Sequence, residues 1–226
     1  AALAMGEGIG EAAARLAAYG AKRILVADHP LLARYSADGH GSVAAGEIGR
    51  LAPAAVLIPA TAHGKDLAAA LAARLGAPCA QDCIEIAPAE GDAIEAVRPV
   101  YAGKARARIR LEGRPAILSL RPNVFTAPAP DESAKADVEA LAVGLREEMI
   151  RTPVRSFVRG SDKPDLIEAP VVVSGGRGMK GPEHFHLIEK LAAALGGVTG
   201  ASRAAVDAGW RPHSEQVGQT GKTVSA

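Results

Sequence analysis

Apolar and polar positions along the chain follow two regimes. In the first, short apolar runs alternate with stretches of helical period. Lys22–Ala27 (KRILVA) and Ala54–Pro59 (AAVLIP) read as buried strands, and Glu11–Tyr19, Val43–Leu51 and Leu67–Leu75 as helices. Gly20 and Gly76 stand just behind two of these helices, where a left-handed residue ends them. Leu31–Tyr35 forms a helical turn after Asp28-His29-Pro30. Strand and helix in alternation predict parallel strands joined by crossover helices.

The pattern then changes. Cys83–Pro88, Glu95–Tyr101, Ala105–Leu111 and Ala116–Arg121 read as strands, with Gly91-Asp92, Gly103-Lys104 and Glu112-Gly113-Arg114 as the turns between them. This predicts a partly antiparallel segment attached to the α/β unit. Arg106, Arg108 and Arg110 alternate with Ala107 and Ile109, the period of a strand with one solvated face. Thr126–Lys135 is a loop. Asp137–Leu145 fits either a helix or a link into the extended run Pro153–Val158. Arg159–Asp165 is turn-rich and polar, and places a domain boundary near Asp165. The expectation is an N-terminal α/β domain over 1–165 with a mixed sheet, and over 166–226 an incomplete part of a second, doubly wound domain.

That second part carries the clearest local signal. Val171-Val172-Val173 is apolar, Ser174-Gly175-Gly176-Arg177-Gly178 is a glycine turn, and Phe185, Leu187, Ile188, Leu191 and Leu195 follow at helical spacing. Ligands of open α/β sheets sit outside the carboxyl ends of the strands. Glycines there let the backbone approach a phosphate, and Arg177 adds a planar fork of donors. Taken alone, the turn fits a tight strand–helix connection with a surface arginine equally well. Arg203, after Gly200-Ala201-Ser202, and Thr220, in Gln219-Thr220-Gly221-Lys222, lie in two more polar turns close behind.

Composition narrows the function classes. Hydrophobic residues make up 48% of 226, enough for a core. Aromatics are only 3% and the formal net charge is +1, which argues against nucleic acid as a partner. No apolar run approaches the roughly 20 residues of a membrane span, so no membrane insertion is expected. The N-terminus lacks the flanks of a signal peptide. Both ends fall inside expected elements, so the sequence reads as a segment of a longer chain. Cys79 and Cys83 are the only cysteines; C-x3-C without a second pair is no zinc site, and two free thiols point to a reducing cytoplasm. His184 and His186 face different sides of a helix and form no metal pair. Lys65 and Asp66 are placed to cap the Leu67 helix.

Three blocks, VVVSGGRGMK, GVTGASRAAVDAGW and QVGQTGK, resemble the alpha subunit of electron transfer flavoproteins in order and spacing. PATAHGKDLAAALAARLGAP, RPVYAGKARARI and LSLRPNVF are similar to that family's N-terminal domain, so the likeness covers nearly the whole chain. The resemblance implies an FAD held by the C-terminal domain and a beta subunit alongside that carries an AMP. It implies electrons accepted from acyl-CoA or other flavin dehydrogenases and passed to a quinone oxidoreductase or another acceptor. It makes the chain an electron carrier rather than an enzyme with its own substrate. The compartment it implies is the bacterial cytoplasm, or the mitochondrial matrix of a eukaryote.

The positions matching the family's flavin contacts are Arg177, Ser202, Arg203, Val217, Gly218, Gln219 and Thr220. The family places the arginine at Arg203 against the isoalloxazine ring and the threonine at Thr220 near flavin N5. A guanidinium about 4 Å from charge added to that ring contributes on the order of 4 kcal/mol at an effective dielectric of about 20. Its upper bound on the potential is on the order of 0.15–0.2 V. The family continues past QTGK into further elements of the flavin pocket. Two alternatives stay open: a subunit of a flavin-based bifurcating complex that oxidises NADH, and a truncated scaffold without flavin.

Overall fold

A computed structural model describes residues 1–156 and 166–224. The chain divides into two compact units, Ala1–Leu120 with Phe125–Val158, and Arg121–Val124 with Arg159–Ala226. The polar stretch Arg159–Asp165, the boundary within it and the end of the run Pro153–Val158 lie outside the described residues.

The first unit opens with β1 (Ala2–Gly6), a glycine turn, and the short helix α1 (Gly10–Ala14), which tightens to a 3₁₀ turn over Arg15–Tyr19. Gly20 ends it at φ +92°, as its position behind the helix predicts. Next come β2 (Arg23–Asp28), α2 (Ala37–Leu51), β3 (Ala55–Pro59) and α3 (Ala62–Leu75). The two longer helices start earlier than their apolar periodicity suggests, because their caps lie in polar segments. Ser36 Oγ accepts from Gly39 N at 3.1 Å, and Thr61 Oγ1 from Gly64 N at 3.1 Å. Lys65 and Asp66 are therefore inside α3 and do not cap it. At Gly64 a Cβ would lie 1.8 Å from Pro59 O, so only glycine lets α3 seat against the end of β3.

Five strands follow: β4 (Cys79–Cys83), β5 (Glu85–Pro88), β6 (Ile94–Val100), β7 (Ala105–Leu111) and β8 (Ala116–Leu120). The expected strand Cys83–Pro88 belongs to two elements. Asp82 adopts φ +62°, its N–H donates to Ser119 Oγ at 2.9 Å, and the register with β8 shifts between Ala80 and Cys83. The chain leaves one sheet there and enters another. β5, β6 and β7 form an antiparallel meander, the mixed pattern the sequence predicts. β8 returns between β3 and β4, parallel to both. Ile117 packs on one side with Ile48, Ile58, Leu67 and Leu71, while Leu118 packs on the other with Ala80, Cys83, Ala96 and Leu111. A strand buried on both faces reads as an unbroken apolar run.

The ambiguous segment Asp137–Leu145 is no helix. β9 (Asp137–Ala140) pairs with the free edge of β2, giving the order β1-β2-β9, all parallel. Arg23 and Arg50 share the Glu139 carboxylate beside it.

The second unit contains β10 (Val172–Gly175), α4 (Phe185–Ala194), β11 (Val198–Ala201) and α5 (Arg203–Asp207). β10 and β11 are parallel, with Gly175 opposite Ala201. The core is small: Phe185, Ala201 and Ala205, with Met179, Ile188, Val206 and Trp210 around them. Of the five apolar positions expected along α4, only Phe185 is fully buried, and Ile188 packs beside it. Leu187, Leu191 and Leu195 are each about half exposed. They form an i, i+4, i+8 stripe turned about 100° from the face that meets the two strands.

Candidate functional site

Three turns meet at the carboxyl end of the β10–β11 pair. Ser202 N donates to Gly175 O at 2.9 Å, so the turn after β11 closes onto the end of β10. Val217 N donates to Ala201 O at 2.9 Å, and Gln216 bridges Ala201, which brings in the third turn. Close approach depends on glycine. A Cβ at Gly200 would fall 2.6 Å from Ser174 Oγ and 3.1 Å from Val217 Cγ1; one at Gly176 would fall 3.2 Å from Ser202 Oγ.

The third turn is a closed loop. Lys222 N donates to Gln216 O at 2.8 Å, Gly218 N to Lys222 O at 3.2 Å, and Gly221 N to Gly218 O at 3.1 Å. Gly218 holds φ +115°, a value that favours glycine. Gly218, Gln219 and Thr220 are exposed at its tip. The approach to the loop is tied down by Arg211, which holds Glu215 through two nitrogens at 2.6 and 2.9 Å and Glu189 of α4 at 2.7 Å. The Arg211 guanidinium also lies 5.5 Å above the Phe185 ring, which meets Trp210 edge-on.

All seven candidate residues therefore lie on these three turns. Arg177 is exposed and makes no ion pair among the described residues. Ser202 precedes α5 and its hydroxyl makes no capping bond. Arg203 is 65% exposed on its side chain and reaches Asp207, one turn on, at 3.3 Å. A solvated pair of that kind contributes under about 1 kcal/mol, so the arginine is only lightly held. Val217 is half-buried against Gly200. The reading from sequence missed two residues here. Gln216 is buried and donates through Nε2 to Thr220 Oγ1 at 2.9 Å. Arg211 is the anchor just described. Both are polar residues next to turns, and only their burial marks them.

The donor set suits a large ligand with phosphate and a flat heterocycle. Two guanidinium groups supply positive charge. Hydroxyls at Ser202 and Thr220, the Gln219 amide and the backbone at Gly218 supply directional bonds. The glycines at 176 and 200 leave no room for side chains where the turns touch. These are the features that a dinucleotide cofactor requires, so the residues present fit FAD.

Elsewhere, several charged and polar groups among the described residues pair with one another. Arg106, Arg108 and Arg110 lie near Glu85, Glu95 and Glu112, and Arg114 bonds Asp92, so this surface is a ladder of paired charges. Tyr35 donates to Asp66 Oδ2 at 2.7 Å and stacks on His63 at 4.5 Å between ring centres. Burial, then the Asp66 bond and charge, push the Tyr35 hydroxyl above its usual range. Burial lowers the pKa of His40, whose Nδ1 accepts from Ser36 N. The His40 ring also lies 5.1 Å from that of Tyr35, so Tyr35 meets one histidine from each of α2 and α3. Cys79 and Cys83 are free, and burial pushes the Cys83 thiol up to about 11. No group of metal ligands occurs among the described residues. Nor, among them, is any helix long and apolar enough to cross a membrane.

Comparison with known proteins agrees with this layout. Residues 1–145 match the electron transfer flavoprotein domain family, and residues 165–226 match the electron transfer flavoprotein FAD-binding domain family. The chain belongs to the electron transfer flavoprotein alpha-subunit family. It is 38% identical over 222 residues to the electron transfer flavoprotein subunit alpha of Bacillus subtilis, covering 98% of this chain and 67% of that one. It is 38% identical to the subunit alpha of Syntrophomonas wolfei over 226 residues, covering 100% and 70%. It is also 35% identical to the acryloyl-CoA reductase electron transfer subunit beta of Anaerotignum propionicum, covering 97% and 68%. The chain thus spans about two thirds of the length of these curated relatives. Membership gives the chain a role in electron transfer and, as the family's fold implies, an N-terminal α/β domain followed by part of a second.

Proposed function

We propose that the chain is the alpha subunit of a heterodimeric electron carrier that binds FAD through the three turns of its second domain. That domain begins near Asp165 in this reading. The supporting observation is the meeting of Gly175–Arg177, Ser202-Arg203 and Gln216–Lys222 at one sheet end, inside the segment matched by an FAD-binding family. When bound, the flavin supplies the redox chemistry, and the protein supplies position and charge. Arg177 and the backbone of the first turn hold phosphate. Ser202 and Gln219 offer directional bonds. Val217 would offer the bound group an apolar contact. Arg203 would supply positive charge that favours a reduced cofactor, and Thr220 would supply a hydroxyl donor to it. The Asp207 carboxylate and solvent both weaken Arg203, so its effect falls well below the upper bound of on the order of 0.2 V.

The partner in this proposal is an electron transfer flavoprotein beta subunit carrying AMP. The donors are acyl-CoA or other flavin dehydrogenases, as in fatty acid oxidation, and the acceptor is a quinone oxidoreductase. The compartment is the bacterial cytoplasm. A second reading is a subunit of a flavin-based bifurcating complex; the name of the Anaerotignum propionicum relative supports only membership of a reductase complex. The test is to purify the full chain with its beta subunit and record the visible spectrum, the FAD content and NADH oxidation. A yellow complex with one FAD at this site, inert to NADH, supports the carrier. NADH oxidation moves the chain to the bifurcating class, and a colourless pair leaves a scaffold. In the carrier, Arg203→Ala lowers the flavin potential without loss of FAD. An unchanged potential in a fully loaded variant removes Arg203 from this role.

A further inference from the structure

Gln216 lies under the third turn with 2% of its surface exposed. Its main chain is fixed on both sides: N donates to His213 O at 3.0 Å, and O accepts from Lys222 N at 2.8 Å. Gly221 packs so closely that a Cβ there would fall 2.3 Å from Gln216 O. The residue before it, Glu215, is clamped by Arg211. The side chain therefore starts from a backbone with little freedom, and its Nε2 ends 2.9 Å from Thr220 Oγ1.

A threonine hydroxyl has one proton to give and two lone pairs to receive. An amide NH₂ only donates. With Nε2 on one lone pair, the Thr220 proton cannot point at Gln216. Thr220 is exposed, so the staggered positions left to that proton include those facing solvent. Without the amide, the hydroxyl would be free to sample its staggered positions or to bond back to its own loop.

We propose that Gln216 is a positioning residue that sets the polarity of the Thr220 hydroxyl, making it a fixed outward donor. Its target is an acceptor atom of the bound heterocycle, a ring nitrogen or carbonyl oxygen. This rests on the flavin reading above. Gln216 itself touches no cofactor; it acts through Thr220. A directed donor stabilises negative charge added on reduction, so losing the direction lowers the flavin potential.

The experiment uses the full-length chain with its beta subunit, loaded with FAD, and reads the flavin potential by spectroelectrochemistry for Gln216→Leu, Thr220→Val and the double variant. The expected result is that both single variants lower the potential and the double variant matches Thr220→Val alone, because the two act through one hydroxyl. No shift in Gln216→Leu, or shifts that add in full, overturns the proposal. Gln216→Glu serves where Gln216→Leu fails to fold. A neutral carboxyl donates to Thr220 as the amide does, whereas a carboxylate accepts and turns the proton inward. Burial raises that carboxyl's pKa, and the potential then falls away from wild type only as pH rises through it. A gap from wild type that does not change with pH overturns the proposal. A wild-type complex that takes up no FAD overturns the flavin reading and this role together, whereas a loaded wild type with silent Gln216 variants overturns this role alone.

Discussion

The strand–glycine turn–helix signature occurs once in each unit, and the two examples share a frame. At the end of β1, Gly6 stands opposite Asp28 and accepts a hydrogen bond from His29 N at 2.8 Å. At the end of β10, Gly175 stands opposite Ala201 and accepts one from Ser202 N at 2.9 Å. The position facing the glycine differs. In the first unit it is an aspartate whose carboxylate takes Gly8 N at 2.8 Å and Ile9 N at 3.2 Å. That turn carries its own anion. In the second unit it is a buried alanine packed with Phe185 and Ala205, with no carboxylate of its own to offer the turn. The last side chain of the neighbouring strand therefore takes up two N–H donors of the first turn and has no counterpart in the second.

The comparison can be broken hardest at Ala201. Ala201→Asp copies the first unit into the second, but here the carboxylate is buried against Phe185 with no partner. The expected cost is about 3–5 kcal/mol, read in urea by the fluorescence of Trp210, the sole tryptophan. A loss below about 1 kcal/mol would show that the two turns are interchangeable. Next is Gly175→Ala, whose Cβ would lie 2.8 and 3.0 Å from the buried Phe185 ring. Overpacking there costs about 1–3 kcal/mol, again through Trp210. Asp28→Ala removes the built-in anion from the first turn and costs about 1 kcal/mol. Its loss appears in far-UV circular dichroism.

The smallest effect separates the units by pH. The Cys83 thiol is raised to about 11 from an ordinary value of 9.0. Unfolded protein releases this proton first, so the stabilising contribution is complete below pH 9 and declines as pH rises towards 11. At pH 9.5 the loss is about 0.8 kcal/mol, and Cys83→Ala removes that slope.

Much of this was legible in the chain itself. Parallel strands, the meander and the glycine C-caps follow from periodicity and turn residues. All seven candidate positions lie on turns that the sequence marks with glycine. What escaped has physical causes. The caps of α2 and α3 sit in polar stretches outside the apolar period. β4 and β5 read as less than two strands because one αL residue, Asp82, redirects the chain without a glycine. The α4 leucines have the right spacing for a core but the wrong angle for a two-stranded sheet. Gln216 has the composition of a loop residue and the burial of a core residue, and sequence carries only the first. Asp28 looked like a strand terminator, and its bonds to the earlier turn depend on a parallel register that no local pattern encodes.

The β2–β9 pairing also bears on how the chain is made. Arg23 and Glu139, which bond across it, are 116 residues apart. During synthesis β1 and β2 emerge early, and β2 waits with an unpaired edge until Asp137–Ala140 leaves the ribosome. At about 5–20 residues per second that interval is on the order of 6–25 s. The edge is apolar, carrying Ile24, Leu25 and Val26. The first sheet is thus finished among the last parts of its unit, and in the interim β2 presents an apolar, unpaired edge, the kind of surface on which nascent chains associate.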